Sequence, residues 1–166
     1  MESKIIQKPE MTLVGLAANV TLKEIQEEKT TYKLGSTFMG RRSEIMECSN
    51  SKEVFGVSTD PEKYDPDMNA FEFFVGVKVP SLHQIPEGMV VRKIPANTYV
   101  QFTFKGTADK AGSIHNYLYS TWLKQSEYEL CDRYNIEVYD DERNQGPESE
   151  ESITDLCFPI RKKATM

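Results

Sequence analysis

The chemistry of this chain concentrates in one short stretch, Asn135-Ile136-Glu137-Val138-Tyr139-Asp140. Its alternation is that of a strand: Ile136 and Val138 fall on one face, and Asn135, Glu137 and Tyr139 on the other. The apolar face suits a core. The opposite face sets a carboxylate beside an aromatic ring, which is how a site for an organic cation is built: the acid supplies charge and the ring supplies the cation–π attraction. The same pattern also describes a solvated strand face with an ordinary surface glutamate. The residues alone leave both readings open.

Other chemistries have less to stand on. The two histidines, His83 and His115, are far apart with no cysteine nearby, so neither a metal site nor a Ser-His-Asp arrangement is expected, and no cofactor either. His115 falls on a helix beside core positions. Cys48, Cys131 and Cys157 are odd in number and show no C-x-x-C spacing, which fits reduced thiols in a cytoplasmic protein. The net charge of -6 argues against a direct nucleic-acid partner, because phosphate binding needs concentrated Lys and Arg. The one basic cluster, Arg161-Lys162-Lys163, is a tail. No run approaches the length of a membrane span, and the N-terminus lacks the apolar core of a secretory signal. With 39% hydrophobic residues the chain has enough material for a core.

The elements that must hold Glu137 follow from periodicity. Strands are expected at Met11–Val20, Val54–Ser58, Ala70–Val79, Met89–Lys93, Tyr99–Lys105 and Ile153–Ile160. In Ala70–Val79, Phe71, Phe73, Val75, Val77 and Val79 share one face, and Glu72, Phe74, Gly76 and Lys78 the other. A helix is expected over Tyr32–Cys48, with Leu34, Phe38 and Ile45 on one face, preceded by a polar linker or frayed helix start over Glu24–Thr31. A second helix is expected over Asp109–Gln125, with Ile114, Leu118, Thr121 and Trp122 as its buried stripe. Asp60–Asn69, Pro80–Gly88 and Asp140–Glu151 read as loops.

The order strand, helix, strand, strand therefore occurs twice, over about residues 8–80 and 88–160, within a single domain of 166 residues. The expected class is α+β: a duplicated β-α-β-β unit whose antiparallel sheets form a pseudo-two-fold pair backed by helices. The crease between the halves is the natural concave site. Glu137 and Phe74, on the non-core faces of corresponding strands, are expected to face each other across it. Glu72 is a weaker second acid on Phe74's face.

Several runs together resemble the GyrI-like family, which is also the effector-binding domain of AraC- and MerR-type bacterial regulators. They are Ile85-Pro86-Glu87-Gly88-Met89; Ile94-Pro95-Ala96-Asn97-Thr98-Tyr99 followed by Phe102 to Gly106; Trp122-Leu123; Ser126-x-Tyr128-Glu129; Ile136 to Asp140; and Asp155-Leu156-Cys157-Phe158-Pro159-Ile160. The resemblance implies the duplicated fold and a central pocket for hydrophobic, often cationic, small molecules. It implies Glu137 as the pocket acid, with Trp122, Tyr139 and Phe74 as aromatic walls and Tyr99 as a further contact or a structural tyrosine.

The resemblance implies a stand-alone binding protein that senses or sequesters a lipophilic cation, rather than an enzyme. Two alternatives come with it: a protein partner, such as gyrase or a regulator, and hydrolysis of reactive cyclopropane-type compounds with Glu137 as general base. The chain departs from the family in three places. It shows no helix-turn-helix, so no promoter binding of its own is expected. Gly35 stands where relatives carry a tryptophan, which would remove one pocket wall. Asn97 stands for the glycine of I-P-A-G, where a residue tolerant of positive φ is expected.

Overall fold

The computed structural model describes residues 2–45, 52–65, 68–146 and 148–164. The strands are β1 (Ser3–Lys8), β2 (Met11–Val20), β3 (Glu53–Thr59), β4 (Phe71–Lys78), β5 (Val90–Ile94), β6 (Asn97–Lys105), β7 (Tyr128–Leu130), β8 (Tyr134–Asp140) and β9 (Ile153–Lys162). All described pairings are antiparallel, in the order β1-β6-β9-β8-β3-β4-β2-β5, with β7 on β9. The helices are α1 (Leu22–Glu28), α2 (Thr30–Arg41) and α3 (Ala111–Tyr117), the last running through a π-helical turn (Leu118–Trp122) into α4 (Leu123–Gln125). The fold is thus α+β. A β-α-β-β unit runs β2, α1–α2, β3, β4 and returns as β6, α3–α4, β8, β9, with β7 as an added short strand.

The sheet curls on itself. Lys8 pairs with Asn97 and Met11 with Ile94, so one antiparallel register continues from β1/β6 into β2/β5. Two residues join β1 to β2 and two join β5 to β6, although the two ladders lie at opposite ends of the strand order. One kinked ribbon therefore belongs to both half-sheets. The two ends of the strand order meet, and the inner face closes without a helix. Met11, Leu13, Phe55, Val57, Phe74, Ile94, Tyr99, Tyr134, Ile136, Val138 and Cys157 form one buried cluster there.

The outer face carries the helices. Around α2, Phe38 and Ile45 pack with Val14, Leu16, Val54, Phe71, Phe73, Val75 and Val77. Around α3–α4, Ile114 and Leu118 pack with Val100, Phe102, Leu156, Phe158 and Ile160. The expected stripe is recovered at Ile114 and Leu118, with Trp122 partly buried beside them. His115 also lies against the core, edge-on to Phe158 at 5.1 Å, and its burial lowers its pKa.

Three expectations change. The polar run after β2 is an ordered helix, α1, closed by a capping box in which Thr21 and Glu24 bond reciprocally. The next helix ends at Arg41, and the remainder of the expected Tyr32–Cys48 helix is a 3-10 turn over Arg42–Glu44; Cys48 lies outside the described residues. Asn97 is the first residue of β6 and is not among the positive-φ residues, Lys29 and Lys63. Its use is polar instead, since its amide donates to the Tyr134 hydroxyl at 2.7 Å. Strands β1 and β7 were not expected.

Candidate site at the seam of the two halves

Strand β8 is central because it pairs with both β9 and β3, and the β8–β3 ladder is where the two repeats meet. Alternation sends Ile136 and Val138 to the inner cluster and Asn135, Glu137 and Tyr139 to the helix side. Cross-strand register then fixes Glu137's neighbours on that side. They form a row: Phe102 on β6, Leu156 on β9, Glu137, Gly56 on β3, Val75 on β4 and Leu16 on β2. A carboxylate is the one polar side chain in the row, and it stands between the core of α3–α4 and the core of α2.

The electrostatics follow from this position. Burial pushes the Glu137 carboxyl up, and the hydrogen bond donated by the Tyr139 hydroxyl to Glu137 Oε2 offsets only part of that rise. Tyr139 itself is driven well above the ordinary phenol value, by burial first and then by the adjacent carboxylate. No cation contributes to either shift. The pair is a part-buried acid with no countercharge among the described residues, which a cationic guest would supply.

Two residues that the sequence reasoning passed over shape the floor. A Cβ at Gly56 would lie 3.2 Å from Tyr139 Cε2 and 3.3 Å from Phe73 Cε1, so the bare backbone opposite Glu137 is what lets both rings close over it. Phe73, with Phe71 beyond it, is the β4 aromatic that meets Gly56 on this face; Phe74 is on the other. The signal was available: Phe73 shares a face with Phe71 and Val75, and the structure buries both faces of β4.

The expected wall residues are not all at the site. Tyr139 is beside Glu137. Trp122 is on the correct side of the sheet but in the α3–α4 core, stacked on Tyr128 at 6.0 Å and edge-on to Phe102 at 6.4 Å. Phe102 is two strands from Glu137 in the same row. Phe74 and Tyr99 are fully buried in the inner cluster, on the opposite face, which corrects the expectation that Phe74 confronts Glu137 across a crease. The reason is the curl, which fills the face expected to line the crease and makes it a second core. Tyr99 there bonds Tyr134, hydroxyl to hydroxyl at 2.8 Å. Glu72 is held by Arg92 in a two-pronged ion pair at 2.8 and 2.9 Å, which lowers its pKa and makes it a structural partner. An open concavity of about 930 Å³ lies elsewhere, along β1 and the ends of β6 and β9. Its polar lining is distributed, with no buried acid at its base, so we place the candidate site at Glu137.

Comparison with known proteins identifies the family and the fold. The GyrI-like small molecule binding domain model matches residues 1–161. The chain belongs to the GyrI-like family. It is 27% identical over 165 residues to the transcriptional regulator BrlR of Pseudomonas aeruginosa, covering 96% of this chain and 56% of that protein, so it spans little more than half of that relative. Among solved structures, EcmrR in its DNA complex superposes with a TM-score of 0.70 at 20% identity, covering 98% of this chain and 58% of that one. SAV2435 bound to tetraphenylphosphonium superposes with a TM-score of 0.67 at 16% identity, covering 97% and 94%. The structural likenesses establish the fold, and the family match establishes the chain as a GyrI-like small molecule binding domain.

Proposed function

We propose that this GyrI-like domain binds a lipophilic organic cation at the seam of its two repeats, with Glu137 as the charge-selecting contact and Tyr139 and Phe73 as aromatic surfaces, and that it thereby senses or sequesters the compound in the cytoplasm. The observation that carries the reading is the row itself: one carboxylate, without a cation, among apolar side chains where two hydrophobic cores abut. Burying an unpaired carboxylate is costly, and a bound cation removes that cost. The structural neighbour holding tetraphenylphosphonium supports the same ligand class.

Protons are linked to binding. Free Glu137 has a raised pKa; a bound cation lowers it, so the cation drives a proton off. Affinity for tetraphenylphosphonium therefore rises as pH rises toward the free carboxyl's pKa and levels off above it. Calorimetry in buffers of different ionisation enthalpy reads the released proton directly. Tetraphenylphosphonium binding that takes up or releases no proton, and that Glu137→Gln leaves unchanged, would overturn the reading.

A further inference from the structure

Where the ribbon bends, the sheet has a notch. The β6–β9 ladder starts at Thr98 opposite Ile160, but β9 runs on to Lys162. In that register Lys162 would need Ala96, which lies in the bend between β5 and β6. The other side of β9 is occupied by β7, with Glu129 opposite Arg161 and Tyr128 opposite Lys162. Backbone alternation fixes what faces the notch. The Cys131 amide donates to the Pro159 carbonyl at 3.1 Å and the Lys163 amide to the Glu127 carbonyl at 2.8 Å, so the odd-numbered residues at this end of β9 turn their backbone groups to β7. Lys162 turns its amide the other way, into the notch, where no described strand meets it.

The notch opens into the concavity of about 930 Å³ along β1, and the charge there is one-sided. Lys8, Arg161 and Lys162 line it and no Asp or Glu does, in a chain of 26 acids and 20 bases. Lys8 is opposite Asn97, and Asn97 is one step from the Thr98–Ile160 pair, so Lys8, Asn97 and Arg161 succeed one another across three strands on the inner side. The two cations start about 10 Å apart at the backbone. Lys8 is half-buried and makes no ion pair among the described residues. Arg161 and Lys162 are met only by Glu129 at 3.1 Å and Glu127 at 3.8 Å, neither of which lines the concavity. The rest of the wall is largely apolar. Strand β1 is an edge, and Ile5, 45% exposed, and Ile6 present apolar surface on its two sides, with Ile160 beyond.

We propose that this notch is a second ligand site, for amphiphilic carboxylates. The head lies between Lys8 and the end of β9, with the Lys162 amide as a hydrogen-bond donor, and the apolar body lies against the free edge of β1. The site is opposite in sign to the one at Glu137 and does not depend on it.

The test is calorimetric titration of decanoate, butyrate and decyltrimethylammonium into the wild-type chain and the Lys8→Gln, Arg161→Gln, Glu129→Gln and Glu137→Gln variants, with amide chemical shifts locating the guest. None of the three notch side chains is buried, so their variants are expected to fold, and melting profiles check this. Decanoate should bind, shifting the amides of Ile5 to Lys8 and of Arg161 and Lys162, and butyrate should bind at least about tenfold more weakly for want of an apolar body. Lys8→Gln should weaken decanoate about fivefold and Arg161→Gln about twofold, since Arg161 is shared with Glu129. Glu129→Gln frees Arg161 and should tighten decanoate about twofold, a change of sign that lost packing would not produce. Glu137→Gln should leave decanoate affinity unchanged. Absence of decanoate binding at millimolar concentration, indifference to the Lys8 and Arg161 changes, shifts confined to other strands, or equal binding of decyltrimethylammonium at the same amides would each overturn the proposal and leave the Glu137 reading standing.

Discussion

Two hydrogen-bonded pairs sit on opposite faces of strand β8 and behave oppositely. On the inner face, Tyr134 accepts from Asn97 and shares a bond with Tyr99, a neutral network enclosed by the curled sheet. On the helix side, five residues along the strand, Tyr139 donates to a carboxylate that has no countercharge among the described residues. The first is complete without a ligand. The second is complete only when a cation arrives or the acid keeps its proton. One strand thus supplies a closed, pH-indifferent support and an open, proton-sensitive contact by alternation alone, which separates the work of stability from that of recognition.

The sharpest way to break this division is to disturb the inner support. Gly15 and Gly76 face each other across β2 and β4, and a Cβ on Gly15 would fall 1.9 Å from the Val75 carbonyl oxygen. Gly15→Ala should destabilise the protein by about 3 kcal/mol or more, read by denaturant unfolding, because backbone rather than a flexible side chain must move. Tyr99→Phe should cost about 1–2 kcal/mol by removing one bond of the network, without altering tetraphenylphosphonium affinity. An affinity loss in that variant would show that the inner face belongs to the site after all.

Glu137→Gln should act in the opposite sense. A carboxyl raised in the folded state is a stability penalty that is absent below the unfolded pKa, develops as pH rises between the unfolded and folded values, and is complete above the latter. The variant should therefore melt higher than the wild type near pH 8 and match it at about pH 4, where both side chains are neutral. Equal gains at both pH values would mean that the effect is packing, not charge. The smallest effect is expected at Gly35, where a Cβ meets nothing within 4 Å. Gly35→Ala should stabilise α2 by about 0.5–1 kcal/mol by thermal unfolding and leave binding intact.

The strand alternation of Asn135 to Asp140 was fully legible in the sequence, and so was the doubled β-α-β-β order, because both are statements about local period. Which face of β4 meets Glu137 was not. Phe74 reads as a crease residue opposite Glu137 only if the sheet has one filled face, and the second core exists because β1 and β5 bring the strand order around to meet itself. Strand β1, Ser3–Lys8, has too little burial of its own to announce itself; its pairing with β6 is a long-range fact. Gly56 was invisible for a related reason. A missing side chain has meaning only once the rings of Tyr139 and Phe73 are known to need its space.

The kinked ribbon has a mechanical consequence. Because β1–β2 and β5–β6 each pass through both half-sheets in one register, the halves share two covalent straps on the side of the molecule away from the β3–β8 seam. Pro9 and Pro95 withdraw two amide donors where the straps bend, so the ladder is thinnest at the bend. A molecule tied at one side and zipped at the other can widen the seam only by flexing at those prolines. Amide exchange beside them, at Glu10 and Ala96, should therefore report any widening of that seam.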